Sequence, residues 1–201
     1  VYLYLPGKNK ESSTLLGYTT VNVKEFEPDQ LKVKLSLTPE RAQGWVKPSE
    51  LQASINVQNL FGTPAQQRRV ASKLTLRPTW PSFPQFQDYA FYEARPNNDG
   101  FENTLEDSTT DEKGEAQIAL NLKDWDDATY QLQLISEAFV AGSGRSVAAT
   151  ARALVSPYDY LIGAKADGDL SYVKLNAVRN LHLIAIDPAL KQIALSDLKL
   201  V

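Results

Sequence analysis

Short runs that alternate apolar and polar residues, each closed off by Gly, Pro, Asn or Asp, limit what this chain can fold into more than any other feature. The clearest is Leu51-Gln52-Ala53-Ser54-Ile55-Asn56-Val57. Successive side chains of a strand point to opposite faces, so Leu51, Ala53, Ile55 and Val57 share one buried face. The same period of two recurs in Leu31-Lys32-Val33-Lys34-Leu35, in Val70 to Leu76, where Val70, Leu74 and Leu76 share a side, and in Tyr130-Gln131-Leu132-Gln133-Leu134. Half-buried strands at this spacing belong to antiparallel sandwiches, not to alternating helices and strands. No long amphipathic helix is readable, and the expected class is all-β.

Further strands are expected at Val1 to Leu5, Leu16 to Glu25, Gln87 to Tyr92, Ala116 to Leu122, Ser146 to Val155, Leu170 to Leu175, Leu181 to Ile186 and Ile193 to Leu200. Between them lie Pro6-Gly7, Asn98-Asp99-Gly100, Glu112-Lys113-Gly114, Gly142-Ser143-Gly144 and Asp167-Gly168, whose residues tolerate positive φ or initiate turns. The polar stretch Asn97 to Lys113, and Lys123 to Ala128, read as a loop or a single helical turn. Proline marks two junctions, Glu27-Pro28 and Ser156-Pro157, taken as domain borders.

With 201 residues the chain has room for one large domain or two small ones, since domains usually run to roughly 100 to 150 residues. An apolar fraction of 43% against 22% charged residues supports a packed core. A net charge of −3 gives no reason to expect nucleic acid or an anionic membrane as partner. No apolar run approaches the roughly 20 residues that cross a bilayer, so no direct membrane insertion is expected. Zero cysteines exclude disulfides, thiolate metal sites and cysteine nucleophiles within this chain. Methionine is absent even at position 1, as expected of part of a longer polypeptide.

Chemistry-bearing residues are sparse. His182 is the single histidine, so a two-His metal site or a Ser-His-Asp arrangement has nothing else to draw on, and a strand-surface or capping role is the plainer reading. Asp124, Asp126 and Asp127 around Trp125, and Asp167-Gly168-Asp169, invite the thought of calcium, but solvated acidic turns use the same residues. Gly142-Ser143-Gly144-Arg145 lacks the spacing of a phosphate-binding loop and reads as a hairpin. No catalytic, cofactor-binding or metal-ligating residue is assigned, and no cofactor is expected. The dense aromatic group Trp80, Phe83, Phe86, Tyr89, Phe91 and Tyr92 admits two readings: a platform for a sugar or protein partner, or core and edge packing. Phe83 and Phe86 flank Pro81 and Pro84, in a segment expected to run along a sheet edge and to make an inter-domain contact.

Several stretches carry a resemblance. Val21-Asn22-Val23-Lys24-Glu25-Phe26-Glu27-Pro28-Asp29-Gln30-Leu31-Lys32-Val33 resembles the seam between consecutive macroglobulin domains, where a last strand leads through a Pro into the next first strand. Leu51 to Val57, followed by Gln58-Asn59-Leu60-Phe61-Gly62-Thr63-Pro64-Ala65, resembles that family's second strand and turn. Gly144 to Ala149, Val155-Ser156-Pro157, Lys165 to Leu170 and Ile184 to Pro188 resemble its bacterial branch, the bacterial α2-macroglobulins.

The resemblance implies a fibronectin-III/Ig-like antiparallel β-sandwich at residues 28–157, similar to the fifth macroglobulin domain of the bacterial order. Residues 1–27 would be closing strands of a preceding domain, and 158–201 opening strands of a following one. It implies a non-enzymatic scaffold in a broad-spectrum protease trap, with target proteases met through the parent protein and neighbouring macroglobulin domains as partners within the same chain. The parent would be a periplasmic lipoprotein on the inner membrane. The family's thioester, Cys-x-x-Gln, has no counterpart in this chain, nor does its bait segment. The rival expectation is a bacterial surface Ig-like module that binds a ligand or protein partner through the aromatic patch, which predicts two complete sandwiches.

Overall fold

The computed structural model describes residues 2–5, 14–18, 30–41, 43–92, 100–168 and 171–196. In chain order its strands are β1 (Tyr2–Leu5), β2 (Thr14–Tyr18), β3 (Leu31–Thr38), β4 (Gln52–Asn59), β5 (Arg69–Pro78), β6 (Phe101–Thr104), β7 (Ser108–Thr109), β8 (Glu115–Ile118), β9 (Tyr130–Phe139), β10 (Ser146–Val155), β11 (Leu161–Ala166), β12 (Leu181–Ile186) and β13 (Gln192–Ile193). A 3-10 turn at Pro84–Phe86 interrupts the connection between β5 and β6.

Strands β3 to β10 form the sandwich. One layer has the order β3-β4-β8, the other β10-β9-β5-β6, with β7 pairing the start of β5. Every ladder is antiparallel, in the layering expected of a fibronectin-III-like fold. Register follows the alternation. Ile55 lies opposite Leu35 on one side and Ala116 on the other, and Leu74 lies opposite Leu134. Ala53, Ile55 and Val57 meet Val70, Leu74, Leu76, Leu132 and Leu134 in one contiguous core. Ser72 interrupts the apolar face of β5, and its hydroxyl is satisfied by Ser136 directly across the ladder, Oγ to Oγ 2.8 Å.

Two smaller sheets accompany the sandwich: the β1-β2 hairpin and a three-stranded sheet of order β11-β12-β13. β11 pairs with β12 over its whole length, Leu161 opposite Ile186 through Ala166 opposite Leu181.

Several expectations are corrected. Gln87 to Tyr92 is not a strand. The 3-10 turn at Pro84–Phe86 runs on into a turn closed by Tyr89 N donating to Phe86 O at 3.0 Å, so within 87–92 only Ala90 makes a bridge. The Asn97 to Lys113 stretch is more than a loop, since β6 and β7 pair there with β5. The ladder of β8 stops at Ile118, and 171–175 form no ladder, with Leu170 outside the described residues. β2 starts at Thr14, and 19–29, with the Glu27-Pro28 seam, lie outside the described residues, as do 197–201 and Pro6-Gly7. β11 is not among the strands expected from the sequence, since its run Leu-Ile-Gly-Ala-Lys-Ala lacks an apolar–polar alternation. The turn glycines Gly100, Gly114 and Gly142 have φ of 111°, 75° and 68°, a backbone that glycine adopts without the clash a Cβ brings.

Candidate functional site: an aromatic joint

A second apolar cluster, separate from the sandwich core, lies between the sandwich and the β11-β12-β13 sheet. It contains Trp45, Phe83, Phe91, Leu161, Ile186 and Leu190, with Phe86, Tyr89, Leu154 and Ile184 packed on it.

Three segments assemble it. The first is the β3–β4 connection, where Val46 bridges the end of β10: its N–H donates to Leu154 O at 3.0 Å and its carbonyl accepts from Ser156 N at 3.1 Å. That bridge brings Trp45 to full burial. The indole Nε1–H donates to Tyr158 O at 2.9 Å, the partner a buried indole needs. Gly44 precedes it with φ of 84°, and a Cβ there would lie 2.1 Å from Pro188 O.

The second segment is an arm, residues 79–92, that leaves β5 and returns across the cluster. Its 3-10 turn places Phe83, Phe86 and Phe91 together: Phe83 and Phe91 meet edge to face at 5.2 Å, Phe83 lies 6.0 Å from Trp45, and Phe86 lies 6.4 Å from Phe91. Phe83 and Phe91 are 4% and 3% exposed. The third is the sheet itself. Ala90 and Ala164 exchange both backbone hydrogen bonds at 2.9 Å, so the arm extends the β11 edge by one residue. Gly163 faces Phe91, and a Cβ on it would sit 2.7 Å from the ring.

Polar contacts border the apolar contact. Lys165 donates to Asp88 at 2.7 Å and lies 6.0 Å from the Tyr89 ring. This hydrogen bond and the opposite charge hold the Asp88 carboxyl below its usual pKa and the Lys165 ammonium above its own. Lys47 pairs with Asp159, which raises the lysine in the same way. Ser156 is buried, accepting from Thr129 Oγ1 at 2.9 Å, and Tyr158 OH donates to Asp127 O at 3.2 Å.

The aromatic group is therefore divided. Phe83 and Phe91 are core and Phe86 and Tyr89 are packed on it, while Trp80 and Tyr92, in edge-to-face contact at 5.2 Å, are 48% and 69% exposed. Tyr92, Tyr158, Tyr160 and Ile162 line an open groove of about 190 Å³ together with Pro81, Phe91 and Leu161. The sequence pattern singled out this arm but not Trp45, Gly44, Ala90, Ala164 or Gly163. Their one local signal was the Gly44-Trp45 pair, because a large aromatic beside a glycine often marks a close backbone approach.

The other residues weighed for chemistry are spread apart. His182 sits on β12 opposite Lys165. Asp127 accepts from Tyr130 OH at 2.6 Å. Asp167 accepts from the backbone N–H of Asn180 at 2.9 Å, and Asp169 lies outside the described residues. Gly142 to Arg145 forms the turn between β9 and β10, closed by Val140 N donating to Arg145 O at 2.9 Å. Among the described residues no three His, Cys, Asp or Glu side chains converge, and no helix is long and apolar enough to cross a membrane.

The family model described as the bacterial α2-macroglobulin MG5 domain matches residues 30–157. An α2-macroglobulin homolog of Yersinia pestis is 72% identical over 200 residues, covering all of this chain and 10% of that protein. The α2-macroglobulin of Rickettsia conorii is 38% identical over 200 residues with the same coverage. The chain thus spans about a tenth of the length of these curated relatives. Among solved structures, the native conformation of the Escherichia coli α2-macroglobulin superposes with a TM-score of 0.63 at 18% identity, over 92% of this chain and 12% of that one. The trypsin-activated form from the same organism gives 0.56 at 21% identity, over 70% of this chain and 10% of that one. These likenesses show a shared fold. The family match over the sandwich and the 72% identity along the whole chain show that this chain belongs to the bacterial α2-macroglobulin family.

Proposed function

We propose that this chain is a structural scaffold segment of a protease-trapping inhibitor, holding neighbouring macroglobulin-like domains in place while the larger protein closes on a protease. The observation that carries this reading is the joint: its buried aromatics hold a second sheet against a complete sandwich, and among the described residues no three His, Cys, Asp or Glu side chains converge. On this reading 28–157 is one complete macroglobulin-like domain, 1–27 closes the domain before it and 158–201 opens the next. The span of the family match and the run of sandwich strands from β3 to β10 support that division. The scaffold performs no catalysis, and its parent is an inner-membrane lipoprotein facing the periplasm, which cell fractionation checks.

Solved structures of the Escherichia coli α2-macroglobulin activated by trypsin and by porcine elastase supply the test proteases. Full-length protein incubated with trypsin should be cut outside 30–157, become more compact in sedimentation, and retain trypsin that cleaves small peptides but no longer large proteins. Trypsin that stays free and fully active on large substrates would overturn the reading. The rival surface module required two complete sandwiches, whereas the described residues form one sandwich and two smaller sheets.

A further inference from the structure

Units joined by a short linker usually move relative to one another unless a large apolar interface holds them. In this joint three kinds of contact each remove a different freedom. The paired hydrogen bonds between Ala90 and Ala164 set the register of the arm along β11, so the sheet cannot slide without breaking both. The cluster of Trp45, Phe83, Phe91, Leu161 and Ile186 resists separation, because opening it would expose five side chains that are at most 6% accessible. The contact of Gly44 and Trp45 with Pro188 O and Tyr158 O is a second line of attachment, made from the β3–β4 connection and not from the arm, and two separate attachments oppose rotation about either one. The connecting residues are no freer: Ser156 is buried and hydrogen-bonded, Tyr158 is tied at its carbonyl and its hydroxyl, and Asp159 is paired with Lys47.

We infer that the arm at 79–92 is a clamp that makes the sandwich and the β11-β12-β13 sheet one rigid body, so this joint stays shut while the protein rearranges and the motion is taken up at other junctions. The inference rests on the protease-trap reading for its setting, but the clamp itself is a property of this chain. Its recognition element is the pairing of a large ring with a missing side chain: Phe91 occupies the space above Gly163 that any Cβ would fill.

The test is a reversible lock. Ala90 and Ala164 exchange both hydrogen bonds, which sets their Cα atoms about 5.5 Å apart, within the range a disulfide spans. These 201 residues hold no other cysteine to compete, and mass spectrometry of the oxidised full-length protein checks that the disulfide between positions 90 and 164 has formed. The double variant Ala90→Cys/Ala164→Cys is made in the full-length protein and challenged with trypsin, oxidised and reduced. The expected result is equal compaction and equal trypsin retention in both forms. Retention by the reduced form alone would show that the joint must open, and the clamp would be overturned. If neither the reduced variant nor the unaltered protein retains trypsin, the protease-trap reading fails, and the clamp is then decided by hydrogen exchange on the 201-residue chain. There the Ala90 and Ala164 amides should exchange within about tenfold of the Leu74 and Leu134 amides of the sandwich. Exchange faster by about a thousandfold or more would mean that the joint opens independently of the core.

Discussion

Phe91 and Gly44 show how single residues set the joint. Phe91 is buried against Phe83, Phe86 and Gly163, so Phe91→Ala removes a large apolar side chain from a packed site and should cost about 3 to 5 kcal/mol. Urea unfolding followed by circular dichroism should show this loss as an early transition of the second sheet, with the sandwich unfolding later. Gly44 and Gly142 both have positive φ but differ in their surroundings. Gly142 has nothing within 4 Å of the Cβ position, so Gly142→Ala should cost only the backbone penalty of about 1 to 2 kcal/mol. Gly44→Ala adds a 2.1 Å contact with backbone, which no rotamer relieves, and should be clearly the more destabilising of the two in the same measurement.

At the scale of strands and turns, two polar devices keep the sandwich in register. The Ser72 and Ser136 hydroxyls satisfy each other between β5 and β9. Ser72→Ala strands a buried hydroxyl and should cost about 1 to 3 kcal/mol, while the double variant with Ser136→Ala should recover part of that loss, a coupling that a double-mutant cycle reads. Asp111 ties the turn before β8, accepting from Glu115 N at 2.9 Å and Lys113 N at 2.8 Å. The bond from Glu115 chiefly lowers its pKa, and the Lys113 bond and charge add to this. A carboxyl depressed on folding contributes stability that is fully present above its ordinary pKa of about 3.9 and is lost as pH falls through the lower folded value. Urea midpoints of the unaltered chain and of Asp111→Ala should therefore differ at neutral pH and converge in acid below that window. Asp88 behaves with the same sign. Lys165 is raised, so its contribution persists up to about pH 10.4 and fades above it, leaving their ion pair intact across the neutral range.

For the molecule as a whole, the sandwich is closed by its own two layers while the β11-β12-β13 sheet has one covered face. Leu161, Ile184 and Ile186 belong to the joint, whereas Ile162, Leu181 and Leu183 lie on the opposite face at 36%, 45% and 45% exposure. Apolar strand faces that water reaches are association surfaces. The isolated 201-residue chain should self-associate, its weight-average mass rising with concentration in analytical ultracentrifugation. Leu181→Lys with Leu183→Lys should suppress this without changing the urea midpoint of the sandwich. If the isolated, unaltered 201-residue chain stays strictly monomeric at high concentration, the proposed border near 157 is contradicted.

Much of the sandwich was legible because a half-buried strand records its environment locally. Leu51, Ala53, Ile55 and Val57 alternate with polar residues and are all buried, and Ser146 to Val155 and Leu181 to Ile186 pair over the spans their sequence implied. Turn glycines are local for the same reason, since a positive φ is a demand on one residue. The sequence by itself therefore determined the all-β class, most of the ladder and the family. The joint was legible as a crowd of aromatics beside two prolines, in a segment expected to run along a sheet edge and make an inter-domain contact, with no ring assigned to the core. Which of those rings are core depends on where the arm lands, and that depends on β11, a strand without alternation, and on Trp45, held at the end of β10 by a bridge between residues 109 apart in the chain, Val46 and Val155. Only the tertiary structure decided that Gly163 is a seat for Phe91 and not a strand breaker. A residue's local pattern reports which way it faces, whereas what fills the space in front of it is set by segments that local sequence does not see.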